Sequence, residues 1–264
     1  MNQARQPIRS GMGRSTPDRI FVQGRDLVQD VIGKLNLGDM AYLEMTGRLP
    51  DKHQSRVFNA ILVTLVEHGM TPMAIATRLV YLGAPESLQS AVAAGLCGMG
   101  TTFAGTAEGA ARMLQGAWEG DGNQDADTLA RDVVADFRKR GLSIPGIGHN
   151  LHKPRDPRTA RLFEVAREEG YAGRYVELMT SIGLHAEAAY GKPLPVNATG
   201  AIGALCCELG FSWKAARGVA VIGRAVGLVG HLVEEQGNPI AREIWLRTEE
   251  ETSCQDETSA DIGR

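Results

Sequence analysis

Aromatic side chains are scarce in this chain: 5% of its 264 residues are Phe, Trp or Tyr. Strands lean on aromatic and β-branched residues, so the scarcity argues against an all-β fold. So does the lack of sustained alternation and of an Asn-Gly hairpin signal. Cysteine is scarce too. Cys97, Cys206, Cys207 and Cys254 include no CxxC pair, which argues against a zinc site or a disulfide framework and points to a reducing cytoplasm. No run approaches about 18 uninterrupted apolar residues, so no membrane span is expected. The N-terminus, MNQARQPIRSGMGR, is basic but has no apolar stretch, so it does not read as a secretory signal. Charge of one sign is also lacking. A net charge of −3 gives no hint of nucleic acid or a membrane surface as partner.

What is present is enough for a core, with 43% apolar and 22% charged residues. The dominant spacing is helical. Val57, Ile61, Leu62 and Leu65 recur every three or four residues within 53–69, and Gly69 with Pro72 marks the end of that helix. Residues 72–81 and 86–97 give two more short apolar segments, and the same reading predicts helices over 103–117, 124–140, 173–190, 197–210 and 213–235. Another runs over 157–169, with Pro157 at its first position after Asp156. The fold class is therefore all-α. Residues 1–25 read as an irregular arm and 248–264 as a disordered acidic tail. Gly200, Gly203, Gly223, Gly227 and Gly230 lie inside predicted helices. They permit either close helix–helix approach or a backbone kept thin for a ligand.

Three places carry candidate chemistry. In IPGIGHNLHKPRDPR (144–158), Gly146 and Gly148 crowd His149, and Lys153, Arg155 and Arg158 follow. Such a loop can offer backbone N–H groups to anionic or carbonyl oxygens, and Arg158 can grip a carboxylate with two bonds. A rigid connection with a capping histidine is the alternative. His68, in EHGMTP, ends an apolar helix, where a protonated histidine is favoured; an exposed cap residue is the alternative. Arg224 stands alone among Val, Ile, Ala and Leu in a long apolar helix. It either meets an internal acid or awaits an anionic ligand. His231, seven residues on, reads as a satisfied core histidine.

LEMTGRLP (43–50), VEHGMTP (66–72), GMGTTFAGTAEGA (98–110), the loop at 144–158, PVNATGAIG (195–203) and IGRAVGLVGHLVEE (222–235) occur in this order. Together they resemble the citrate synthase superfamily. The compact length and the opening STPDRIFVQGRDL look like its citryl-CoA lyase branch, which includes the lyase module of ATP-citrate lyase. The resemblance implies an all-α homodimer or larger homo-oligomer. It implies a large domain of 26–103 and 213–247, an inserted small domain of 104–212, and an active site in the cleft between them. It also implies roles for single residues. Pro145, Gly146, Ile147, Gly148 and Lys153 would recognise coenzyme A. His149 would contact the keto or hydroxyl oxygen of the substrate, and His68 matches a second substrate-binding histidine. Arg158 and Arg224 would hold carboxylates, Arg242 would match the substrate-binding arginine that one subunit lends to its partner's site, and Asn197 and Phe103 would line the substrate.

Two positions depart from the family pattern. Phe103 replaces a histidine that polarises the thioester carbonyl in citrate synthases, as it tends to in the lyase branch. Thr199 replaces the catalytic aspartate, and a threonine hydroxyl is neither a general base nor a useful acid near pH 7. Glu187 or Glu208 could stand in, water could protonate the enolate, or the acyl substrate could differ. The resemblance thus implies an enzyme that cleaves a 3-hydroxyacyl-CoA, such as citryl-CoA, into an acyl-CoA and a keto acid, or runs the reverse acyl transfer. Its partners would be a CoA thioester and a small polycarboxylate or keto acid. Coenzyme A enters as substrate, with no prosthetic group and no metal expected. The alternative is a non-catalytic binder of CoA thioesters or polycarboxylates.

Overall fold

Asn36, Thr71, Asp125, Asp156 and Asn197 each open a helix by offering a side-chain oxygen to backbone N–H groups of its first turn. The structure, a computed structural model, describes residues 10–119, 124–149 and 153–253. Among these residues run eleven α-helices. They are α1 (Leu37–Thr46), α2 (Lys52–Val66), α3 (Pro72–Gly83), α4 (Leu88–Cys97), α5 (Gly105–Trp118) and α6 (Ala126–Lys139), then α7 (Pro157–Glu168), α8 (Arg174–Tyr190), α9 (Ala198–Glu208), α10 (Trp213–Gly237) and α11 (Ala241–Ser253). The all-α expectation holds; α2 and α5 to α10 follow the predicted helices to within a few residues, and α3 and α4 fall on the two short apolar segments.

The structure departs from the sequence reading toward both ends of the chain. Residues 13–26 are not irregular but form a small antiparallel meander, β1 (Gly13–Ser15), β2 (Ile20–Val22) and β3 (Arg25–Asp26). Its second turn is Gln23-Gly24, with φ of 49° and 77°. Positive φ at both positions suits a two-residue hairpin, and only the glycine advertises it in sequence. At the other end α11 runs on through residues 248–253, which the sequence assigned to a disordered tail. The Arg247–Glu243 pair at 2.6 Å and the Thr248 and Thr252 hydroxyls, each bonded one turn back, support it. The rest of the acidic tail and Cys254 lie outside the described residues.

The chain packs as two compact units, Met1–Leu62 with Ala107–Ala216, and Val63–Thr106 with Arg217–Arg264. In the first, Phe58 and Phe211 stack and Tyr42 meets both edge to face, with all ring centroids 5.4 Å apart. α8 lies between α6 and α9, and α9 also meets α7. α9 is buried at Ala198 and from Gly200 to Cys207, with Thr199 half-buried, and its small residues explain how. A Cβ on Gly203 would lie 2.9 Å from the Ala107 carbonyl oxygen on α5. The close-approach reading of these glycines therefore holds at Gly203.

In the second unit α3 packs on α4 and α11 on α3. Met73, Met99, Ala104, Ala220 and Leu228 form the core. Gly227 on α10 sits on the end of α2, where a Cβ would lie 1.8 Å from the Val66 carbonyl oxygen. α10 is the one helix among the described residues with the length and composition to cross a membrane. Half of its apolar window is buried within the protein, as in a core helix.

Candidate active site

The glycine loop is fastened to the segment that leads into α9. Ile147 bridges Val196, the Gly148 N–H donates to the Pro195 carbonyl at 2.7 Å, and the Asn197 N–H donates to the Gly146 carbonyl at 2.9 Å. The Asn197 side-chain amide donates to the Gly148 carbonyl at 2.7 Å. Gly146 and Gly148 adopt φ of 83° and 84°, which glycine supplies without strain. The expectation that the loop presents free N–H groups needs correction at two positions. The Ile147 N–H donates to the Ile144 carbonyl at 3.2 Å, and that of Gly148 is held by Pro195. The rigidity inferred from sequence comes from this lacing.

Asp156 is the hub. It is 2% exposed, and its carboxylate accepts from the Arg158 N–H, from Arg158 Nε and Nη2 at 3.0 and 2.8 Å, and from the Ala198 N–H at 3.0 Å. One carboxylate thus ties the first turns of α7 and α9, two positive helix ends, to a guanidinium. Burial pushes its pKa up. The bonds from Arg158 and Ala198 outweigh that and hold it below the ordinary carboxylate range. So fixed, Arg158 brings Nη2 to 3.3 Å from His149 Nε2. A guanidinium only donates, so Nε2 accepts and a neutral His149 keeps its proton on Nδ1. His149, Arg158, Asn197, Thr199 and the loop come together in this unit. Lys153 is exposed ahead of α7.

Thr199 is tied up. Its hydroxyl donates to Asn197 Oδ1 at 2.7 Å, and that oxygen also accepts the N–H groups of Thr199 and Gly200. The two proposed substitute acids have other tasks. Glu208 Oε1 accepts the N–H groups of Tyr175 and Val176 at 2.7 and 3.1 Å, closing the start of α8. Glu187 accepts the Leu194 N–H at 3.1 Å.

The second unit holds the remaining candidates. Arg224 is 7% exposed, and its Nη1 has no hydrogen-bond partner among the described residues. Burial pulls its pKa down and the charge of Glu67 opposes that shift. His68 is exposed, just past the end of α2. Phe103 is 47% exposed in the turn before α5. Arg242 lies on α11 in a shallow hollow with Leu79, Leu82 and Trp245. His231 is satisfied, as expected, by Arg78 and Glu67. The sequence reading missed Asp156 as a hub and Arg78 altogether. Arg78 is a lone cation in an apolar helix, MAIATRLVYLG, so the criterion that singled out Arg224 also finds it.

The chain matches the citrate synthase C-terminal domain over residues 27–244 and belongs to the citrate synthase family. Its fold is that of the enzymes of this class. Citryl-CoA lyase from Hydrogenobacter thermophilus is 33% identical, with a TM-score of 0.79 and 87% of both chains covered. ATP citrate lyase from Methanothrix soehngenii, solved in complex with citrate and coenzyme A, is 22% identical. Its TM-score of 0.73, over 89% of this chain and 39% of that one, speaks for the fold alone. ATP-citrate synthase beta chain protein 1 of Arabidopsis thaliana is 25% identical over 227 residues. This chain spans 36% of that relative's length.

Proposed function

We propose that this chain is a citryl-CoA lyase-type enzyme, cleaving a 3-hydroxyacyl-CoA into an acyl-CoA and a keto acid. The observation that carries the reading is the Asp156–Arg158–His149 line beside the laced glycine loop. Arg158 is held by a buried carboxylate and keeps part of its fork accessible for a substrate carboxylate. His149, bonded through Nε2 to Arg158, is assigned to the oxygen that becomes the keto group. The 33% identity to a citryl-CoA lyase over most of both chains adds support.

Cleavage is a retro-aldol step. The substrate hydroxyl passes its proton to water as its carbon becomes a keto carbon. The broken C–C bond leaves its electron pair on the thioester enolate, and a proton then completes the acyl-CoA. Fixed positive groups lower the barrier as charge moves onto oxygen. Thr199 spends its hydroxyl hydrogen bond on Asn197, and Glu187 and Glu208 serve backbone N–H groups, so we assign delivery of the last proton to water. Arg224 is assigned to a carboxylate by its own buried, unmatched donor. The proposal includes a homodimer or larger in a reducing cytoplasm, and domains at 26–103 with 213–247 and at 104–212. Light scattering of the purified chain tests the assembly.

The deciding experiment incubates the chain with citryl-CoA and follows oxaloacetate through an NADH-linked dehydrogenase. Release that is lost in His149→Ala supports the lyase. Bound but intact citryl-CoA sinks it. The engagement of Thr199 favours one second reading, a CoA-thioester binder without turnover, and that same outcome would establish it.

A further inference from the structure

We propose that Arg78 and His231 are positioning residues that hold Glu67 away from Arg224, keeping that guanidinium open for an anion. The inference rests on the assignment of Arg224 to a substrate carboxylate. It starts from burial. Arg78, on α3, is 0% exposed, and its Nε and Nη2 lie 3.2 and 2.9 Å from His231 Nδ1. Because a guanidinium only donates, Nδ1 is the acceptor and a neutral His231 carries its proton on Nε2. That nitrogen faces Glu67 Oε1 and Oε2 at 3.2 and 3.1 Å. Glu67 Oε1 also accepts the N–H groups of His68 and Gly69 at 2.8 and 2.5 Å.

Arg78 is itself anchored. Its Nη1 donates to Glu235 at 2.5 Å, and Nη2 pairs with Glu234. Glu235 accepts the N–H groups of Ile240 and Ala241 at 2.9 and 2.7 Å, fixing the start of α11. A line of bonds thus runs from the α11 start through Arg78 and His231 to Glu67 and the turn carrying His68.

The line answers a chemical problem. Glu67 is the carboxylate whose charge Arg224 feels, and Arg224 is buried with a donor unmatched. A mobile Glu67 would close on that donor and occupy the place of a substrate carboxylate. With both oxygens committed to His231, His68 and Gly69, Glu67 neutralises Arg224 from a distance and leaves the donor vacant.

The test is a pair of variants. His231→Leu releases Glu67, and KM for citryl-CoA should rise about ten- to a hundredfold with kcat little changed. Adding Glu67→Gln removes the competing charge, so the double variant should return to within a few-fold of the wild-type KM. A packing role alone predicts no such rescue. A double variant as poor as His231→Leu, or losses that simply follow the melting temperature, overturns the proposal. If His231→Leu does not fold, His231→Asn, too short to reach Glu67, replaces it. A wild-type chain inactive on citryl-CoA counts against the lyase reading alone. The positioning line is then judged by the 15N imidazole spectrum, where His231 protonated on Nε2 alone supports it and a proton on Nδ1 overturns it.

Discussion

Gly146 and Gly200 meet backbone to backbone: a Cβ on Gly146 would lie 2.4 Å from the Gly200 Cα, and one on Gly200 would lie 2.5 Å from the Gly146 carbonyl oxygen. This contact presses the glycine loop onto the first turn of α9, beside Asn197 and Thr199. Gly200→Ala should cost about 1–3 kcal/mol, as overpacking does. Gly146→Ala adds roughly 1–2 kcal/mol for its left-handed backbone. Gly230, on the same kind of helix, has nothing within 4 Å of a built Cβ. Gly230→Ala should therefore stabilise by about 0.5–1 kcal/mol. Urea denaturation of the three variants checks the ordering, and a neutral Gly200→Ala would contradict the close contact.

Asp156 predicts an acid-sensitive fold. Its native pKa is lowered, so as pH falls the unfolded chain takes up this proton before the native one does. The stability it contributes is complete above the unfolded value of about 4 and is lost as pH falls through the lower native value. Asp156→Asn keeps the shape and removes the charge that Arg158 needs. It should cost about 1–3 kcal/mol at pH 7. The gap to wild type should shrink toward pH 3. A gap that stays constant with pH would mean that the charge of Asp156 is not what holds Arg158.

The difference between what was legible and what was not follows from range. Helical spacing is local, and α2 and α5 to α10 could be traced from it. Arg224 was legible because a charge among Val, Ile and Ala is anomalous within a few residues. The laced loop was half legible: Gly146 and Gly148 announce an unusual backbone, but not that Pro195 and Asn197 would fasten it. Asp156 reads as an ordinary cap before Pro157, and nothing near it signals a bond to Ala198, 42 residues on. The 13–26 meander was missed because its turn is Gln23-Gly24, a weaker cue than Asn-Gly.

The cysteines should divide by burial. Cys97 is exposed at the end of α4, and Cys206 and Cys207 are buried in α9. Burial pushes the Cys206 thiol up, and pushes Cys207 up to about 12, so neither forms a reactive thiolate near neutral pH. In a Cys254→Ser background, a chromogenic disulfide reagent should label one thiol per native chain and three after unfolding. Rapid labelling of a second thiol in the native chain would show that α9 opens.

Thr199 offers the sharpest separation of roles. Thr199→Val deletes the hydroxyl bond to Asn197 and should cost about 0.5–1.5 kcal/mol of stability. If that hydroxyl takes no part in proton transfer, kcat for citryl-CoA cleavage should stay within a few-fold of wild type. Thr199→Asp is different. Asn197 Oδ1 already accepts two backbone N–H groups, and the Asn197 amide is held by Gly148, so a carboxylate must turn away from Asn197. There it sits at the start of α9, where negative charge gains about 0.3–1 kcal/mol. The fold should tolerate it. A well-placed acid is worth about 10²–10⁴ in rate, so a rise in kcat toward that range would mean that protonation limits the wild-type enzyme. An active wild type with no gain in Thr199→Asp would mean that water already delivers the proton fast enough. Inactivity of both, with citryl-CoA bound, would leave a binding protein.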